Sequence, residues 1–135
     1  MSVYSVIYNL LSTDAPTTGI AGLRIYPVQA PQTVAYPFIV NNVISTVPTN
    51  TKTSSGESQM DKVRVQVTMI GDNFTTLNTL AAYVRARLDY YWQTTNSGIY
   101  VQSITFDGEV DAFDEGSGKD GLYLKYQDYI IIYSR

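Results

Sequence analysis

The 135-residue sequence contains no cysteine and no histidine. Without cysteine there is no disulfide and no thiolate chemistry, and without histidine the commonest metal ligand and general base are missing. Charge is scarce too: 16% of residues are charged, against roughly 25% in an average soluble domain. The formal net charge is −3 and the pI about 4.7, which excludes a broad basic footprint for nucleic acid or an anionic membrane. Long apolar runs are lacking. The strongest, Tyr129–Tyr133, is far short of the roughly 20 residues of a spanning helix. Met1–Tyr4 has neither a basic region nor a sustained apolar run, so no signal peptide is expected and synthesis in a cytoplasm follows. The missing cysteines fit a reducing compartment and equally a particle that meets both redox conditions.

What is present is one domain's worth of chain, able to bury about two-thirds of its unfolded surface without covalent staples. Tyrosine is abundant, at 12 residues. A tyrosine-rich, charge-poor surface suits protein contact, because tyrosine offers large amphipathic area with two torsions to freeze. The same tyrosines equally suit the faces of strands.

Periodicity gives the elements. Ser2 caps a short helix whose apolar face is Val3, Val6, Ile7, Leu10 and Leu11, and Thr13–Pro16 is expected to end it. Leu23–Tyr26 reads as a short strand stopped by Pro27, and Val28–Pro37 as extended but irregular chain. Phe38–Thr46 is β-rich with a mixed pattern, which points to a bulge or to burial on both faces. The segment 47–59 is polar and nearly without bulk, and is expected to be a mobile loop. Met60–Ile70 alternates Val63, Val65, Val67 and Met69 with Arg64, Gln66 and Thr68, a strand with one covered face. A long helix is expected from Phe74 to Trp92, with Phe74, Leu77, Leu80, Ala81, Val84 and Leu88 as its apolar stripe. Strands follow at Ile99–Phe106 and Leu122–Tyr133, joined by an acidic loop over 107–121. This order lacks regular βα alternation and predicts an α+β fold: a single domain over 1–135, a largely antiparallel sheet with one short N-terminal helix and one long helix on one side. No internal repeat is visible.

Few constellations could carry chemistry. Asp107, Glu109, Asp111, Asp114, Glu115 and Asp120 interleave with glycines, hard oxygen ligands of the kind calcium takes. The spacing fails the helix–loop–helix calcium pattern: counted from Asp107, position 6 is Ala112 and position 12 is Gly118. The cluster reads equally as a solvated connection whose charges keep strand ends from sticking, or as a protein-contact surface. Glycosidase-type acid–base work lacks any neighbour to raise one carboxyl pKa. A Ser–Lys pair would need Lys52–Ser55, within the segment least suited to rigidity. Gly116–Lys119 lacks the spacing of a phosphate-binding loop. No enzyme, cofactor or metal is expected. The last strand is apolar on both faces at Tyr129–Tyr133, so either helices cover both sides or a second copy covers one. The suspected protein-contact residues are therefore Tyr129, Ile131, Tyr133, Lys52, Asp111, Asp114 and Glu115.

Several stretches in order resemble the tail-completion, or tail-terminator, family of long-tailed bacteriophages. They are Arg24–Pro27, Ala30–Gln32, Pro37–Val40, Val63–Val67, the helix with Leu80–Ala86, and an acidic connection to Gly121–Tyr123 before a final strand ending in Tyr133. The resemblance covers about residues 3–134. It implies a sheet-plus-helices fold without catalysis, a homo-oligomeric ring of six capping the tail tube, and contacts to the tail-tube protein and the head–tail connector. It implies a virion tail or neck protein assembled in the host cytoplasm, with no sequence-specific nucleic acid and no membrane. Alternatives from other classes are another neck or tube protein, a monomeric calcium-dependent module, and an enzyme using carboxylates alone.

Overall fold

A computed structural model describes residues 2–31, 33–49, 60–114 and 121–134. Among the described residues three helices lie on one face of a six-stranded sheet, in the α+β arrangement the periodicity predicts. Helix α1 spans Val3–Ser12 and buries Val3, Val6, Ile7, Leu10 and Leu11, its expected apolar stripe. Its end is closed by Thr13, whose hydroxyl donates to Asn9 O at 2.6 Å. Pro16 does more than end that helix. A second helix, α2 (Ala15–Ala21), starts there with proline in its first turn and Asp14 at the N-cap. A proline at that position forfeits no intrahelical hydrogen bond. Thr17, fully buried, donates to Asp14 Oδ2 at 2.6 Å.

The strands are β1 (Ile25–Pro27), β2 (Phe38–Thr49), β3 (Met60–Gly71), β4 (Tyr91–Asn96), β5 (Ile99–Asp114) and β6 (Leu122–Ser134). Their order is β1-β2-β3-β6-β5-β4, with β1 parallel to β2 and every other pair antiparallel. Helix α3 (Phe74–Leu88) follows β3, capped by Asn73, whose side chain accepts from Thr76 N at 3.1 Å. Its stripe Leu77, Leu80, Ala81, Val84 and Leu88 meets Val63, Val65, Val67 and Met69 of β3 in one core. Arg87 ties α3 to α1 by donating to Leu10 O at 2.9 Å.

Four expectations change. The long helix stops at Leu88, not Trp92: Asp89 is extended and Tyr90 has φ +64. Tyr91 and Trp92 instead begin β4, joined to β5 through Ser97 and Gly98, both at positive φ, the geometry of a two-residue hairpin turn. The expected loop at 47–59 begins too early, since β2 continues to Thr49 opposite Met60; residues 50–59 lie outside the described residues. The acidic segment is a strand over 107–114, bulged at Asp107 and paired with β6 from Gly108 to Asp114, and 115–120 lie outside the described residues. Finally, Val101 and Ile104, placed on opposite faces by simple alternation, are both buried, because the register slips between Val101 and Ser103. The mixed pattern of β2 resolves as a bulge between Val43 and Ser45.

Candidate assembly interface

The β5–β6 hairpin outruns its neighbours. Strand β4 pairs with β5 only up to Ile104, whereas β5 and β6 stay paired to Asp114 and Leu122. The projecting arm carries the acidic residues: Glu109 and Asp111 share the helix side, and the bulge between Phe106 and Gly108 turns Asp107 to the opposite face. On the helix side the Lys125 side chain is 5% exposed, with Nζ 2.6 Å from Asp111 Oδ1 and 3.6 Å from Glu109 Oε2. Beside it, the buried Gln127 donates to Ala81 O at 3.0 Å and to Glu109 Oε1 at 2.9 Å. Its own Oε1 accepts from the Tyr129 hydroxyl at 2.7 Å. Burial pushes the Tyr129 phenol well above its ordinary pKa, with the Asp89 carboxylate adding to the shift. On the opposite face Arg64 bridges Asp107 at 2.7 Å and Asp128 at 3.4 Å, and Gln66 donates to Asp128 at 3.3 Å. Asp107, Glu109 and Asp111 are thus held by Lys125 on the neighbouring β6 and by Arg64 reaching over from β3.

Two sheet edges are left open, one on each side of the sheet. Phe106 N donates to Asp89 Oδ1 at 2.9 Å, and from Asp107 to Phe113 no strand among the described residues lies on the outer side of β5, away from β6. Across the sheet, β1 covers β2 only at Ile39–Asn41, and Val43 N donates to the Tyr4 hydroxyl at 3.0 Å. From Ile44 to Thr49 the outer side of β2 has no described strand. Both edges carry exposed apolar side chains: Val110 and Phe113 on β5 are 63% and 47% exposed, and Ile44 and Val47 on β2 are 50% and 56% exposed. The β5 edge is acidic, while the β2 strand has no charged residue. Inside the arm a groove of about 460 Å³ runs between it and α3, lined by Ala81, Ala82, Arg85 and Ala86 against Glu109 and Gln127.

The suspected contact residues separate. Tyr129 and Ile131 are 0% and 1% exposed: their face of β6 is the one α3 covers, so the subunit's own helix takes the place foreseen for a partner. Tyr133 is half-buried near Asp61, its hydroxyl 3.5 Å from Oδ2. Asp111 and Asp114 are exposed on the arm. Lys52 and Glu115 lie outside the described residues. Among the described residues no three acidic side chains gather as a metal site: Glu109 and Asp111 share Lys125 on one face, while the bulge before Gly108 turns Asp107 to Arg64 on the other. The β2 edge was missed by sequence reasoning; its signal was an uncharged β-rich run, Ile44–Val47, continuing directly into Pro48.

The model of a family described as "Tail completion protein gp17" matches residues 5–133. No curated protein sequence matches the chain significantly. Among solved structures, a chain in one described as "Virion of native gene transfer agent (GTA) particle" superposes with a TM-score of 0.73 at 16% identity, covering 98% of this chain and 96% of that one. Another superposes at 0.54 with 12% identity, over 92% and 88% of the two chains. At such identities the likeness concerns the fold.

Proposed function

The chain belongs to the tail completion protein gp17 family, a structural component of the phage tail, and on that premise we propose that it closes the tail tube as a ring of identical subunits, ends tube polymerisation and joins tail to head. The observation that carries this reading is the pair of unlike open edges on opposite sides of one sheet. A head-to-tail ring uses two different patches on each subunit, whereas a two-fold dimer uses one self-complementary patch. An acidic edge and an uncharged edge, each with two exposed apolar side chains, are two such patches. The ring is of six copies, and its two ends meet the tail-tube protein and the head–tail connector. The role needs surfaces and no catalytic step.

Two measurements test it. Native mass across a concentration series is expected to show a discrete species near six times 15.0 kDa; a strict monomer at every concentration counts against self-closure. Particles assembled without the chain are expected to carry tubes of uncontrolled length and unjoined heads. Tubes of normal length on joined heads would overturn the reading.

A further inference from the structure

We propose that neighbouring subunits join by strand addition, the β2 edge of one copy pairing antiparallel with the β5 edge of the next, in the register that sets Val47 opposite Val110. This rests on the ring reading above and names the contact that closes it.

Direction comes first. Strands β2, β3, β6 and β5 alternate in direction across the sheet. A neighbour related by rotation about an axis along the strands keeps each strand's sense, so its β2 continues the alternation next to β5. The join is therefore antiparallel.

Register follows from two independent features. In a regular antiparallel ladder the partner numbers have a constant sum, so Val47 opposite Val110 sets Ser45 opposite Ala112 and brings Ile44, at the β2 bulge, to the end of the ladder beside Phe113. One register thus gathers all four exposed apolar residues of the two edges. Val47 and Val110 also share a side of the sheet: Val47 pairs with Lys62 on β3, out of phase with the buried Val63, and Val110 pairs with Tyr126, out of phase with the buried Gln127. The same register brings Thr46 opposite Asp111, a hydroxyl donor beside a carboxylate. It also fits the space available. The pairing runs from Ser45 opposite Ala112 to Thr49 opposite Gly108, stopping short of β1 at Asn41 and of β4 at Ile104. The open stretch of β5 lies toward the Leu122 end of β6, and that of β2 toward the Met60 end of β3. A stagger of this kind is what a sheet closing on itself requires, because its strands tilt against the ring axis.

Charge decides against the other pairing. Two β5 edges paired about Glu109 would oppose Glu109 to its own copy and Asp107 to Asp111, and like charges across a strand pair repel. The uncharged β2 edge carries no such penalty.

The chain has no cysteine, so introduced thiols report only the designed contact. Val47→Cys with Val110→Cys in one chain is expected to give, on oxidation, a covalent ladder ending at the closed ring. Both positions are more than half exposed, so the variant keeps its fold. Either single variant alone is expected to stay uncross-linked, and Val47→Cys with Phe113→Cys, out of register, to give little. Dimers from Val110→Cys alone would overturn the proposal in favour of arm-to-arm pairing. Rings by native mass without the ladder would overturn this contact and leave the ring standing. Absence of rings at every concentration would overturn the ring reading, and this contact with it.

Discussion

Tyr129 shows what one hydrogen-bonded phenol does at the centre of this core. Its hydroxyl has a single donor proton, given to Gln127 Oε1, and burial opposes its ionisation. The unfolded chain ionises this group near pH 10.0, and the folded one only well above it. Past pH 10 the unfolded state therefore sheds a proton that the folded state keeps, and stability falls as pH rises. Near-ultraviolet absorbance is expected to show one tyrosine that titrates only as the protein unfolds, and Tyr129→Phe is expected to remove that late step. A late step that survives in the variant would assign it elsewhere. Lys125 gives a second test at this scale. Its ammonium is buried, while its partners Glu109 and Asp111 are 36% and 54% exposed at the side chain. Removing the lysine leaves carboxylates that water can reach; removing the carboxylates strands a buried cation. Glu109→Gln with Asp111→Asn should therefore cost about 3–5 kcal/mol, against less than about 1.5 kcal/mol for the nearly isosteric Lys125→Met. Denaturant midpoints in the opposite order would show that the cation is solvated after all.

The elements differ in how far local pattern determines them. Helix α3 and strand β3 were legible because their apolar periods meet a core that demands those periods: Leu77, Leu80 and Val84 pack against Val63, Val65 and Val67. The acidic arm was not legible. Asp107, Glu109, Asp111 and Asp114 read as a loop when taken alone, yet they stand in a strand laid against β6, where Arg64 of β3 meets Asp107 and Lys125 of β6 holds Glu109 and Asp111, a non-local fact. Helix α2 was hidden because proline stops one helix and starts another equally well. β4 was hidden because Tyr91 and Trp92 continue an apolar helical stripe until the positive φ of Tyr90 breaks it. Of the two open edges, composition marks the acidic one at Asp111 and Asp114 and does not mark the β2 edge, since openness is a property of the whole sheet. The arm also depends on one glycine. Gly121 sits at φ +71, where a Cβ would collide with the Phe113 ring and lie 2.9 Å from Asp114 O. Gly121→Ala is expected to loosen the arm: amides of 109–113 and 122–126 should exchange faster while those of β3 stay protected. Uniform protection in the variant would show that the arm's end accommodates a side chain.

At the scale of the whole molecule, a subunit with two unlike edges behaves differently from one with a single sticky face. A lysine on an edge strand is a common way to stop strand addition. Val47→Lys spoils the β2 edge and leaves β5 intact; Val110→Lys does the reverse. Both positions face solvent, so each variant should melt close to the parent, within the roughly 0.5 kcal/mol typical of surface changes. Neither alone has a matching pair of edges, and each is expected to remain monomeric where the parent forms rings. Mixed in equal amounts they share one good pair: the intact β5 of the Val47→Lys subunit can accept the intact β2 of the Val110→Lys subunit. That dimer then exposes only the two spoiled edges, so growth stops there. Native mass should give monomers for each variant and a species of twice the subunit mass for the mixture, with no larger product. A self-complementary face could not yield this result, since a variant that blocks it stays blocked in any mixture. If the mixture closes full rings, the edges are not the joints.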